Sequence, residues 1–149
     1  MYVTEKLSSK QKKIILYTIF GWIIISFGIV GLGFTGNEIR TSSSHLEISG
    51  LYGETITLND LESIELVEQR PVMSRRIHGF SMGYRKKGIF KNQDGERIKL
   101  LINTKYRPFI LIKKESGQNI YFSSDARSNE DIFKELKNSY PTKVKIEFP

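Results

Sequence analysis

The hydrophobic pattern of the chain changes rhythm twice. From Ile14 to Phe34 the sequence reads IILYTIFGWIIISFGIVGLGF, 21 residues without a charge. As a helix rising ~1.5 Å per residue, such a run spans roughly 30 Å, the thickness of a bilayer's hydrocarbon core. Asn37–Ser44 is polar and predicts a linker. From His45 onward, short runs of period two alternate with turn signals, the mark of β-strands. His45–Ser49 turns Leu46 and Ile48 to one face, and Glu54–Leu58 does the same with Ile56 and Leu58, after a reversal at Gly50 and Gly53. Ser63–Glu68 places Ile64 and Leu66 on one face and Glu65 on the other.

The stretch Arg70–Tyr84 lacks that rhythm and is expected to be a long loop. Beyond it, Arg85–Asn92 and Glu96–Asn103 flank Gln93-Asp94-Gly95, a hairpin turn, and Ile98, Leu100 and Ile102 share a face. Phe109–Lys114 and Asn119–Ser123 form a further hairpin around Ser116-Gly117. The period then becomes helical. Ser128 is a natural N-cap, Glu130 and Asp131 suit the first turn, and Ile132, Phe133, Leu136 and Tyr140 fall on one side. Pro141 stops the helix, and the tail Lys143–Phe148 (Val144, Ile146, Phe148) adds a short strand or docks by itself.

These elements predict a mainly β fold: seven antiparallel strands in a small barrel or two orthogonal sheets, closed by one C-terminal helix and preceded by one transmembrane helix. The expected divisions are a basic flank (1–13), the transmembrane helix (14–34), a linker (35–44) and the β domain (45–149).

A secretory signal peptide is the main alternative to a retained anchor, but its apolar region is normally about 7–15 residues, shorter than this one. The glycines of the span are not spaced for helix dimerisation. Lys6, Lys10, Lys12 and Lys13 precede the span, whereas Arg40 is the lone basic residue between Thr35 and Thr55. The positive-inside rule then puts the N-terminus in the cytoplasm and the domain outside the cell membrane. A secreted domain after signal cleavage, or a cytoplasmic one, are the other arrangements.

Charge sharpens the picture. The net charge is +7, with 23 Lys and Arg against 16 Asp and Glu. Between Gln69 and Gln93 lie Arg70, Arg75, Arg76, Arg85, Lys86, Lys87 and Lys91, with no acid among them. Setting these seven aside leaves 16 basic residues to match the 16 acidic ones, so the excess belongs to one segment. Together with His78 they are the candidates for binding an anion, with glycine bends at Gly79, Gly83 and Gly88 bringing backbone amides and guanidinium groups to one site. The bland reading is that they balance Glu62, Glu65 and Glu68 and keep a strand edge soluble. Alternation also turns Arg85 and Lys87 away from Lys86.

Other chemistry is thin. Cysteine is absent, which excludes disulfides, thiolate zinc sites and a thiol nucleophile. His45 and His78 stand in no metal-ligand spacing, and no metal or other cofactor is expected. Gly79-Phe80-Ser81-Met82-Gly83 matches Gly-x-Ser-x-Gly, but that motif works at a strand-to-helix elbow with a later histidine, and no histidine follows Ser81. The expectation is a non-enzyme. Phe80, Tyr84 and Phe90 beside the basic run raise the possibility of nucleic-acid stacking, which a domain outside the cytoplasm has little occasion to use. Phe80 is instead a candidate partner contact, and Phe90 a core residue.

One resemblance emerges from the pattern Leu46-x-Ile48-x-Gly50-Leu51-Tyr52-Gly53-x-x-Ile56, then Asp60-Leu61-x-x-Ile64, Arg76-x-x-Gly79, Lys87-Gly88-Ile89-Phe90 and Pro108-Phe109-Ile110-x-Ile112. Over roughly residues 45 to 140 it resembles the pleckstrin-homology (PH)-like domains of small membrane-anchored bacterial proteins. The resemblance implies a seven-stranded, bent antiparallel barrel capped by a C-terminal helix. Such barrels carry lipids, peptides or protein surfaces, so the fold does not select a ligand. Three functions are therefore expected, in this order: a module docking a membrane or envelope protein, a binder of anionic lipid or envelope polymer through residues 70–91, and a structural domain without a ligand.

Overall fold

A computed structural model describes residues 8–145 of the chain, which divides into two compact units, one ending at Gly33 and one beginning at Phe34. In the first, helix α1 (Ser9–Phe34) follows from the unbroken apolar run, and the hydroxyls of Thr18 and Ser26 bond back to the carbonyls of Ile14 (2.9 Å) and Trp22 (2.8 Å). Its Ser9–Gly31 portion is long and apolar enough to cross a membrane, a description that fits an anchor and a signal sequence alike. Lys6 at one end of the chain, and Ile146 and Phe148 of the expected tail at the other, lie outside the described residues.

The second unit is mainly β. Its strands are β1 (Ile39–Thr41), β2 (His45–Ile48), β3 (Glu54–Thr57), β4 (Leu61–Val67), β5 (Met73–Met82), β6 (Arg85–Asn92), β7 (Arg97–Ile102), β8 (Phe109–Lys114), β9 (Ile120–Ser123) and β10 (Val144–Lys145), with helix α2 (Asn129–Ser139) before the last. They form a three-stranded sheet, β1-β2-β3, and a seven-stranded sheet in the order β10-β4-β8-β9-β7-β6-β5.

All seven expected strands and the C-terminal helix are present, but four expectations are corrected. The large sheet is open, with β10 and β5 at its edges, and does not close into a barrel. It is not wholly antiparallel, because β7 pairs with β9 and β10 with β4 in parallel. Part of the expected linker is strand β1, paired with β2 (Ile39↔Ile48). Most of the expected loop Arg70–Tyr84 is strand β5, paired along β6 from Met73↔Asn92 to Met82↔Arg85.

Two apolar clusters cover the two faces of the large sheet. One joins Leu46, Ile48 and Ile56 of the small sheet and Ile132, Phe133 and Leu136 of α2 to Ile64, Leu101, Ile110, Ile112 and Phe122. The other is Phe90, Ile98, Leu100, Ile102, Phe109, Leu111 and Tyr121, with Val67 and Met73 packed on it. Because both faces are covered, Glu65 does not reach solvent as its alternation predicts. It is buried, with its carboxylate 2.9 Å from Lys113 Nζ and accepting from the Ser63 hydroxyl at 2.9 Å.

Helix α2 has the expected N-cap at Ser128 and ends just before the expected stop at Pro141. The Ser128 hydroxyl accepts from the Asp131 N–H at 3.3 Å, and the Tyr140 N–H donates to the Leu136 carbonyl at 2.8 Å. The Tyr140 hydroxyl ties the helix end to β2, lying 2.8 and 2.7 Å from the carbonyls of Ser42 and His45.

Candidate functional site: a basic cleft

The site is built on the β5–β6 hairpin and the two connections beside it. Gly79 and Gly88 face each other across the hairpin, both at positive φ, and a Cβ on either would run into the backbone of the opposite strand. Only glycine permits that approach. Breaks in register between Met73 and Arg75, and between Arg76 and His78, bend β5 further.

The hairpin sorts the eight candidate residues into three groups. Arg85 and Lys87 point inward. Lys87 has no exposed surface and donates to the backbone carbonyl of Thr35. Burial, then the nearby Arg85 charge, pushes its ammonium down to about 8. Arg85 pairs with Asp125 at 2.7 Å, donates to the Phe34 carbonyl at 3.1 Å, and lies over the Phe34 and Tyr84 rings. Burial works to lower its pKa, but its contacts with Asp125 and Tyr84 carry it upward. Both residues therefore fasten the first residues of the domain to β6.

Arg75, Arg76 and His78 are exposed along the β5 edge, and half-buried Lys91 is the register partner of Arg75. The His78 ring is 6.1 Å from Tyr52. Half-buried Phe80 meets Phe34 edge to face, with ring centroids 5.3 Å apart.

Arg70 and Lys86 form the third group, and the structure brings them together with two residues that the basic run does not include, Lys105 and Arg107. All four line a cleft of about 500 Å³, with Glu68 as its one acid and Val72, Tyr84 and Phe109 among its apolar walls. Lys86 Nζ donates to the Ser81 hydroxyl at 3.2 Å. Burial, followed by the charges of Arg70 and Arg76, lowers the Lys86 pKa, as expected for a partly desolvated cation among like charges.

The Lys105–Arg107 segment is held from below. The Asn103 side chain donates to the Ser123 carbonyl at 2.9 Å, and the Thr104 N–H donates to the Ser123 hydroxyl at 3.2 Å. Buried Asn129 accepts from the Ser124 N–H at 2.9 Å and donates to the Pro108 carbonyl at 2.8 Å, fixing the far end of the loop to α2. A signal for this half of the site was in the chain: Lys105-Tyr106-Arg107 alternates basic and aromatic residues just before Pro108.

Among the described residues, seven ion pairs join other side chains, and Arg70, Arg75, Arg76, Lys86, Lys105 and Arg107 take part in none of them. Of the carboxylates in the bland reading of the basic run, Glu65 is taken by Lys113, while Glu68 lines the cleft beside Arg70 and Lys86, and Arg75 and Arg76 do stand on an edge strand. Ser81 of the Gly-x-Ser-x-Gly match lies near the end of β5, exposed and outside the cleft lining, and a turn and strand follow it instead of a helix. No group of three His, Cys, Asp or Glu suited to a metal is found among the described residues. Comparisons of the chain with protein-family models, curated proteins and solved structures find no match.

Proposed function

We propose that the chain is a non-enzymatic, membrane-anchored domain that binds an anionic ligand, one bearing phosphate or clustered carboxylates, in the cleft of Arg70, Lys86, Lys105 and Arg107. The observation that carries this reading is the convergence of four unpaired cations from three separate segments on one cleft. Like charges at close quarters repel, and an anion converts that cost into attraction. Arginine adds two-pronged hydrogen bonding to phosphate or carboxylate oxygens, and lysine adds point charge.

In this reading α1 is retained as the anchor, and the flanking lysines orient the domain outside the cytoplasm. An envelope polymer or an outer-leaflet headgroup then supplies the anion. The PH-like kinship remains part of the proposal: the strand array followed by an amphipathic helix supports it, while the open sheet with parallel pairs counts against it.

A protein partner adding a strand to the sheet is the second reading, favoured by the position of ten-residue β5 at a sheet edge. It ranks lower, because register breaks and exposed Arg75 and Arg76 are the features that guard an edge against pairing.

Calorimetry with inorganic tripolyphosphate, on the full chain in neutral detergent micelles, tests the main reading. Saturable binding that weakens steeply with salt is expected, and the combined Arg70→Gln, Lys86→Gln, Lys105→Gln and Arg107→Gln variant should lose it. Equal binding by that variant would refute the site.

A further inference from the structure

Beyond α1, the large apolar side chains that stay exposed among the described residues are Val72 (63%), Met82 (51%), Tyr84 (47%) and Tyr106 (71%). They are not scattered. Val72 and Tyr84 line the basic cleft itself. Tyr106 stands between its Lys105 and Arg107, and shares with Tyr84 the lining of an adjoining groove. Met82 precedes the Gly83-Tyr84 turn of the β5–β6 hairpin. Val72, Tyr84 and Tyr106 therefore share one rim with Arg70, Lys86, Lys105 and Arg107, and Met82 is next to it along the chain.

A domain that bound only a small soluble anion would have no use for such a rim. Exposed apolar side chains cost solubility and mark a contact surface. Cations interleaved with tyrosines and aliphatic tips fit one environment in particular, the headgroup layer of an anionic bilayer. There the charges meet phosphates, the tyrosines sit at the water boundary, and the aliphatic tips reach the first methylenes. The same chain carries a helix able to cross a membrane, and with that helix retained as an anchor the domain is tethered to a bilayer.

We propose that this rim docks on the surface of an anionic bilayer, with Val72, Met82, Tyr84 and Tyr106 entering the interface and Arg70, Lys86, Lys105 and Arg107 holding lipid headgroups. The proposal rests on the anion-binding reading and adds the source of the anion.

The absence of cysteine makes the test direct. Tyr106→Cys and Met82→Cys each take one environment-sensitive fluorophore, and Asp94→Cys, in the turn at the opposite end of β6, serves as the control. The full chain is reconstituted in vesicles of phosphatidylcholine, alone or with about a third phosphatidylglycerol, a content that gives a strongly negative surface. Lipid-borne quenchers report insertion. Quenching at 82 and 106 is expected to be several-fold stronger in the anionic vesicles, with 94 unaffected. Replacing the four cations by Gln should return it to the neutral-lipid level, and Val72→Ser with Tyr84→Ser should weaken it. Equal quenching in both lipids would overturn the proposal, since the cations would then select nothing. No quenching in either, while tripolyphosphate still binds, would overturn docking and leave the anion site standing. Loss of tripolyphosphate binding as well would end both readings.

Discussion

Lys87 reaches from the middle of β6 to the backbone carbonyl of Thr35, and does so with no surface open to water. A carbonyl is a weak counterweight to a buried ammonium, and that imbalance sets a pH dependence. The folded pKa of Lys87 is about 8, against roughly 10.4 in an unfolded chain. Between those values the unfolded state holds the proton more tightly, so stability rises with pH. Lys86, also lowered, acts in the same direction, whereas Tyr121, raised by burial, takes stability away once its phenol titrates in the unfolded chain. Comparing the wild type with Lys87→Met isolates the lysine. Going from about pH 7.5 to about pH 9.5, the wild type should gain about 1–2 kcal/mol relative to the variant in urea unfolding in micelles. A gap that stays constant with pH would mean that water reaches the amine.

Glu54 makes a second test of buried charge. Its carboxylate, on β3 of the small sheet, lies 3.0 Å from Lys99 Nζ on β7 and 3.1 Å from Lys114 Nζ on β8. Both lysine side chains are only 10% exposed, so the one carboxylate is shared between two cations and joins the sheets. Glu54→Gln should cost about 2–3 kcal/mol in the same unfolding assay, because it strands two partly desolvated ammonium groups. A loss below about 0.5 kcal/mol would indicate that both lysines escape to solvent.

These pairings bear on how far sequence reasoning reaches. Period-two runs located β2, β3, β4 and β6 to β9, because half-buried or buried strands must alternate or run apolar. The same rule failed at Met73–Met82, where Arg75, Arg76 and His78 face water and two register breaks interrupt the period. Strand β1, three residues long, is too short to show a period at all. The basic run was legible as a run, and alternation already separated Lys86 from Arg85 and Lys87, but what each side meets was not legible. Adjacent residues on a strand face opposite ways, so Lys86 enters the cleft while Arg85 and Lys87 turn to Phe34 and Thr35. Lys105 and Arg107 lie across a chain reversal from Lys86, and composition within a window does not find partners brought together by pairing.

The Arg85–Asp125 pair should behave as a clamp on the start of the domain. Its side chains are 16% and 35% exposed, and the same guanidinium also donates to the Phe34 carbonyl. A double-mutant cycle of Arg85→Gln and Asp125→Asn is expected to show a coupling of about 1 kcal/mol, larger than for a fully exposed pair. Zero coupling would assign the stabilising role of Arg85 to the Phe34 carbonyl and the Phe34 and Tyr84 rings.

The sharpest discrimination comes from single substitutions within the basic surface. If charge density along residues 70–91 is what matters, Arg75→Gln and Lys91→Gln should weaken tripolyphosphate binding as much as Arg70→Gln or Lys86→Gln, and Lys105→Gln should do little. The cleft geometry predicts the reverse. Arg70, Lys86, Lys105 and Arg107 line it while Arg75 and Lys91 do not, so each of the four should cost about 1 kcal/mol of binding, a loss of roughly fivefold. Arg75→Gln and Lys91→Gln should stay within about twofold, through the general field alone. Exposed Arg97, in the hairpin at the other end of β6, is the control for net charge. The outcome for Lys105 decides, because it is distant from the run in sequence and inside the cleft in space. An Lys105→Gln variant that binds as well as the wild type would return the ligand to the exposed edge of β5.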